Sequence, residues 1–137
     1  MVKSRVMISR SITLLVLIGL LAGCSPEPGQ ISTELSGFVT LLKQNGVEGK
    51  LSINLPENAD IEYVATYAIA AYTSTRILTF FKLSDEQSAI KNLELLMENQ
   101  KMSGQARNRT ILMGATFYPP DDESVNKIKE LFINHTF

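Results

Sequence analysis

Cys24 carries the sole thiol of the 137-residue chain, and the residues before it indicate a processing site next to this thiol. A basic segment with Lys3, Arg5 and Arg10 is followed by an apolar run over residues 12–22 and then by small residues. This order is typical of a secretory signal peptide with its processing site. The 11-residue run makes a helix of about 16 Å, whereas a bilayer span needs about 20 residues. We therefore expect the segment to be removed, and an ordinary cysteine in a transmembrane helix is the less favoured alternative.

The sequence Leu21-Ala22-Gly23-Cys24 resembles the lipobox of bacterial lipoproteins. In that family the thiol of the box cysteine receives a diacylglycerol, the peptide is cut before it, and the new amino group is usually acylated. The resemblance implies that acylated Cys24 holds the protein on a lipid bilayer, because two or more acyl chains anchor firmly. Ser25 stands where an aspartate usually retains enterobacterial lipoproteins in the inner membrane. The resemblance therefore implies the periplasmic face of the outer membrane, with the inner membrane as the alternative.

Removal of the signal divides the chain into three predicted parts. Residues 1–23 are the signal peptide, residues 24–30 are a lipidated, proline-rich flexible tether, and residues 31–137 are a single globular periplasmic domain. Without the three basic residues of the signal, ten basic residues remain against 14 acidic ones, a formal charge of −4. We therefore expect no nucleic-acid partner. Acylation of the thiol leaves none for a disulfide or a zinc–thiolate site.

Few residues have the types and spacing that catalysis or metal binding needs. His135 is the third residue from the end of the sequence and has no evident partner, and we predict a solvated tail residue. The acidic run over residues 121–123 lacks the spaced ligands and glycine of a calcium loop, and it favours a charged first helical turn. Arg107 and Arg109 could grip a phosphate or a headgroup, but a solvated loop is favoured. The sequence predicts no enzyme, no metal site and no cofactor.

Three tyrosines and an arginine are the candidates for binding a partner or a ligand. Tyr63 and Tyr67 share a predicted helix face at i and i+4, and with Tyr72 they could line a cleft, although core packing is favoured. Arg76 stands in an apolar stretch, where it would either bind the anionic group of a ligand or pair with an acid such as Glu62. The structural pairing is favoured.

The apolar spacing predicts alternating helices and strands. The predicted elements are a helix over residues 31–45, a strand over 50–55, a helix over 61–72, a strand over 73–81, a helix opened by the capping box Ser84-Asp85-Glu86-Gln87 and ending near 103–104, a polar loop over 105–108, a central strand over 110–118, and a last helix with Val125, Ile128, Leu131 and Phe132 on one stripe. One continuous helix over residues 61–81 is the alternative to the helix and strand predicted there.

These elements predict an α/β or α+β fold, a small domain with helices packed on a two- or three-stranded sheet. A mostly helical domain with a two-stranded ribbon is the alternative. The predicted function is that of a membrane-anchored lipoprotein that binds another envelope protein as an assembly, secretion or pilus accessory factor. The second hypothesis is a periplasmic carrier that holds a hydrophobic small molecule or lipid in a cavity beside residues 61–81.

Overall fold

The computed structural model describes residues 28–56, 59–71 and 73–137, which contain three helices and five strands. In chain order these are α1 (Pro28–Gln44), β1 (Gly49–Asn54), β2 (Ile61–Ile69), β3 (Thr75–Leu83), α2 (Glu86–Met97), β4 (Ser103–Asn108), β5 (Ile111–Tyr118) and α3 (Asp122–Asn134). The strands form one sheet in the order β1-β2-β3-β5-β4, and all neighbouring strands are antiparallel. Because all the neighbouring pairs are antiparallel, the fold is α+β and not α/β, and the prediction of a two- or three-stranded sheet is wrong.

The helix predicted over residues 61–72 is also wrong, because β2 occupies Ile61–Ile69. Every second side chain from Tyr63 to Tyr67 is buried, while Val64 and Thr66 are half-buried, which is the two-residue period of a strand. The alanines favour a helix in isolation, but pairing with β1 and β3 on both edges overrides that weak preference. The strand predicted over residues 73–81 is confirmed by β3.

The loop predicted over residues 105–108 is part of β4, the second missed strand. This strand lies at the edge of the sheet and pairs on one side with β5, so polar side chains are tolerated along it. Helix α2 ends at Met97, earlier than predicted, and its N-cap is Asp85 rather than Ser84. The Asp85 carboxylate accepts a 2.7 Å hydrogen bond from the backbone N–H of Ser88.

The other predicted elements are confirmed with shifted ends. Helix α1 begins at Pro28, so three residues assigned to the tether are helical. A proline is tolerated there because the first helical turn leaves its N–H groups unbonded in any case. Strand β5 lies between β3 and β4, as its apolar residues on both faces predict. Asp122 and Glu123 form the acidic first turn of α3.

The main core lies between one face of the sheet and the pair of helices α1 and α3. Its centre is Phe38 of α1, whose ring lies 5.8 Å from that of Phe80 and 5.7 Å from that of Phe132, both edge-to-face. Leu35 and Leu42 lie one turn away on the same helix stripe and are buried. We call this side of the sheet the closed face.

Among the described residues, one helix, α2, lies on the opposite side of the sheet, where it packs over β3, β5 and β4. Ala89 of α2 forms a small second core with Leu83 and Leu112. A sheet of five strands is roughly 20 Å wide, while a helix with its side chains covers about 10 Å. One helix therefore covers about half of this side. We call the uncovered half, formed by the outward side chains of β1, β2 and β3, the open face.

Candidate functional site

Tyr63 belongs to a polar cluster that joins α1 to the sheet. Its hydroxyl donates a 2.5 Å hydrogen bond to Oε2 of Glu34, and Nζ of Lys82 lies 3.0 Å from the other carboxylate oxygen, Oε1. Lys82 also donates to Oγ1 of Thr110 at 2.7 Å. Burial raises the pKa of Tyr63, and the hydrogen bond to Glu34 and the charges of Glu34 and Glu62 raise it further. The phenol therefore stays protonated, and the cluster fastens the first half of α1 to β2 and β3.

Tyr67 lies on the same face of β2, two positions along the strand. It is fully buried, and its hydroxyl donates a 2.7 Å hydrogen bond to the carbonyl oxygen of Val47. Burial raises its pKa, with a further increase from the charge of Glu48 and an opposing effect from the Gly49 backbone. Both tyrosines are thus core residues of the closed face. They share that face because alternate residues of a strand point to the same side, not because of the i, i+4 spacing of a helix. Tyr72 lies outside the described residues.

Arg76 pairs with Asp121, not with Glu62. Its Nη2 lies 3.4 Å from Oδ2 of Asp121, and its guanidinium carbon lies 5.5 Å from the centroid of the Phe117 ring. Asp121 is the N-cap of α3 and accepts hydrogen bonds from the backbone N–H and the hydroxyl of Ser124. These bonds, the backbone N–H of Glu123 and the Arg76 charge lower the pKa of Asp121 against the effect of burial.

The structure does not bring these sequence-predicted residues into one cleft. Tyr63 pairs with Lys82 in the sheet register, and Lys82 lies six positions after Arg76 along extended β3, a distance of roughly 20 Å. The tyrosine and the arginine therefore lie at opposite ends of the sheet.

The open face offers a surface that the sequence reasoning did not identify. Because side chains alternate along a strand, the residues between the buried ones of β2 and β3 point away from α1 and α3. They include Val64, Thr66, Ala68 and Ile77, which are half-buried or exposed. Leu95 of α2 is 58% exposed and lines the groove beside this face, whereas the exposed Ile90 and Met97 lie on nearly the opposite side of the helix. Strand β1 contributes the polar side chains of Lys50, Ser52 and Asn54 to the open face. An exposed leucine beside the uncovered Val64 and Ile77 is a candidate contact for a partner.

A groove runs between α2 and the sheet, where the helix borders the open face. Its volume is about 230 Å³, and most of its lining is apolar. Ile61, Phe81, Leu83, Leu95, Leu96 and Leu112 line it together with Asn92 and Asn99. Strands β2, β3 and β5 and helix α2 together build this groove.

The prediction that His135 is a solvated tail residue is wrong. Its ring is half-buried and lies 4.5 Å from that of Phe137 and 5.4 Å from that of Phe38. Its carbonyl oxygen accepts a 2.7 Å hydrogen bond from Nδ2 of Asn108. The imidazole therefore packs at the edge of the main core, next to Phe38.

The remaining basic candidates lie at the turn between β4 and β5. Nη1 of Arg107 donates a 3.0 Å hydrogen bond to the carbonyl oxygen of Arg109, which has a left-handed backbone with φ +56°. Across residues 28–56, 59–71 and 73–137, no three His, Cys, Asp or Glu side chains are grouped so that they could hold a metal ion. Within the same ranges, no helix has the length and apolar composition needed to cross a bilayer.

Comparison with known proteins finds no matching family model, no significantly similar curated protein and no significantly similar solved structure. The functional conclusion therefore depends on the fold and its surfaces. Cys24 and the predicted signal peptide lie outside the described residues.

Proposed function

We propose that the protein is a lipid-anchored accessory factor of the bacterial envelope, tethered to the outer membrane through acylated Cys24, that binds another envelope protein. The observation that carries the binding role is the unequal covering of the sheet. Two helices pack on the closed face, whereas in the described part of the chain α2 alone packs on the opposite side. The protein acts by binding rather than by catalysis.

The partner element that fits the open face is an amphipathic helix. The uncovered width is about that of one helix, and a helix laid beside α2 would bury its apolar stripe against Leu95, Val64 and Ile77. Lys91, Glu94 and Glu98 are exposed on α2 and can pair with charges along the partner's polar side. The bound partner helix would therefore lie beside α2 and complete a layer of two helices on that side of the sheet.

Site-specific photo-crosslinking in intact cells tests this binding mode. A photoreactive amino acid at Leu95 is expected to give a crosslink to an apolar stripe of a helix in another envelope protein, mapped by mass spectrometry. The same group at Ile133, which is 49% exposed on α3, is the matched control and should not give that crosslink. Leu95→Glu should release the partner and Ile133→Glu should not. Equal crosslinking at both positions, or crosslinking at Leu95 to a second copy of this chain, would overturn the proposal.

The anchor is tested separately by labelling with radioactive palmitate. We expect label on the wild-type chain and none on a Cys24→Ala variant. An unlabelled wild-type protein with an unprocessed amino terminus would refute the anchor and leave the binding surface to be judged by crosslinking.

The groove beside α2 supports a second candidate function, a carrier of a hydrophobic small molecule. Six apolar side chains line it, and two asparagine amides could bond a polar end group. Native mass spectrometry of the protein purified without added lipid distinguishes the two functions. A co-purified lipid that is lost in Leu96→Trp would favour the carrier, whereas an empty protein that still crosslinks its partner favours the accessory factor.

A further inference from the structure

A second cavity, of about 180 Å³, lies at the end of the sheet where β2 ends and β3 begins. The loop after α1, the first turns of α3 and the strands β2, β3 and β5 enclose it. Arg76, Lys127, Ser124 and Asn45 provide its polar lining, and Val47, Ile69, Phe117 and Ile128 provide an apolar one. It is separate from the groove, which is at the other end of β3.

Arg76 is held in place but makes few hydrogen bonds. A guanidinium group has five N–H donors. The contact of Nη2 with Asp121 is 3.4 Å long, whereas charged N–H···O bonds are usually about 2.7–2.9 Å. Nε is buried without a hydrogen-bond partner among the described residues. Phe117 stacks near the guanidinium and limits its movement.

Asp121 meets only one of the guanidinium donors, because its hydrogen bonds from Ser124 fix the position of its carboxylate. Oδ2 accepts from the Ser124 hydroxyl at 2.7 Å, and Oδ1 accepts from the Ser124 backbone N–H at 3.1 Å. These bonds place Asp121 in its capping position at the start of α3. Arg76 therefore reaches only an oxygen that another donor already shares.

Lys127 adds a second positive charge to the same cavity. It lies about one turn after Ser124 on α3 and, in the part of the chain that the structure describes, has no carboxylate within ion-pair distance. Asp122 and Glu123 are exposed and do not line the cavity. Two cations thus face one engaged carboxylate, which leaves the site with an unbalanced positive charge.

We propose that this cavity binds a small organic carboxylate. Its oxygens accept hydrogen bonds from Arg76 and Lys127, and its short apolar part lies against Val47, Ile69 and Ile128. Bidentate pairing with a planar carboxylate is the geometry that a guanidinium favours. This site is independent of the helix-binding surface.

The test is a titration of the whole ¹⁵N-labelled chain, purified in an uncharged maltoside detergent, with butanoate. We expect saturable shifts of the amide resonances of Ser124, Lys127 and Ile69. Arg76→Met and Lys127→Gln should each weaken the binding about tenfold or more, the effect of losing a charged hydrogen bond. Lys129→Gln, on the same helix but outside the cavity lining, should bind as wild type does.

Neutral and inorganic probes complete the test. Butan-1-ol should cause no saturable shift, because it carries no charge. Equal binding of butan-1-ol, binding of inorganic phosphate without butanoate, or wild-type affinity in Lys127→Gln would overturn the proposal, as would the absence of saturable shifts. Lys127 is exposed, so its variant keeps the test decisive even if Arg76→Met fails to fold.

Discussion

The phenol of Tyr63 and the carboxylate of Glu34 are joined by a 2.5 Å hydrogen bond across 29 positions of sequence. This bond fastens helix α1 to strand β2, and Lys82 holds the other oxygen of the same carboxylate. A buried tyrosine that must keep its proton makes the fold sensitive to alkaline pH.

Tyr63→Phe should change how stability depends on pH. Because the pKa of Tyr63 is raised above its ordinary 10.0, the folded state keeps a proton that the unfolded chain releases. This contribution to stability is complete below about pH 10 and is lost as the pH rises further. The variant should lose about 1–2 kcal/mol at pH 7 but decline less steeply in alkali. Urea unfolding at neutral and alkaline pH measures the free energy of unfolding of both proteins. Tyr118→Phe, at a side chain that is 75% exposed, is the control. If the stability of wild type and of Tyr63→Phe declined in parallel in alkali, the predicted role of the Tyr63 proton would be wrong.

Asp121→Asn should make the fold less sensitive to acid. Hydrogen bonds from Ser124, followed by the charge of Arg76, lower the pKa of Asp121 below 3.8. The stability that the carboxylate provides is present above that pH and is lost as the pH falls below it. The melting temperatures of wild type and variant should therefore differ at pH 7 and converge toward pH 2. Asp122→Asn removes an exposed carboxylate from the same turn and is the control. A difference in melting temperature as large at pH 2 as at pH 7 would show that the charge of the Asp121 carboxylate does not contribute to stability.

Gly104→Ala should destabilise the protein more than Gly46→Ala. Both glycines have positive φ, +60° and +80°, so alanine is strained at either position. At Gly104 the added Cβ would also overlap Cγ1 of Val125 in α3, whereas nothing lies within 4 Å of the same atom at Gly46. We expect a loss of about 1 kcal/mol at Gly46 and about 2 kcal/mol or more at Gly104. Equal losses of unfolding free energy would mean that α3 does not press on β4 there.

Phe38→Ala should be the most damaging of these substitutions. Its side chain is fully buried and contacts the rings of Phe80 and Phe132. Truncation of a buried phenylalanine costs about 3–5 kcal/mol, which approaches the whole stability of many small domains. Ile133→Ala, at a half-exposed position on α3, should cost much less. Thermal unfolding of both variants compares them, and similar losses would place the centre of the core elsewhere.

The elements that the sequence predicts well are those whose local pattern agrees with their final surroundings. Strand β5 is apolar on both faces and lies inside the sheet, and α3 carries one clear stripe with Val125, Ile128 and Phe132 buried. Strand β2 is missed because its alanines suggest a helix, and the pairing that decides against a helix comes from β1 and β3. Strand β4 is missed because an edge strand needs few apolar residues; of its side chains, that of Ala106 alone is buried.

The surfaces are harder to predict than the elements. Arg76 finds its acid 45 positions later in the chain, in a helix cap that no local spacing connects with it. The groove beside α2 needs residues from β2, β3, α2 and β5. Its apolar residues are visible in the sequence, but whether a second helix covers them depends on the packing of the whole sheet.

The contact between Phe38 and Phe132 has a consequence for the order of folding. Strand β3 can pair with β2 as soon as both have been made, but its other neighbour, β5, comes later in the chain. Phe132 of α3, which packs on Phe38, is made after β5. A ribosome that releases the chain from its amino end would therefore leave the closed face incomplete until α3 has emerged. Until α3 packs, Phe80 of β3 covers one side of Phe38 and the side that faces Phe132 stays exposed, which makes it a binding target for a chaperone.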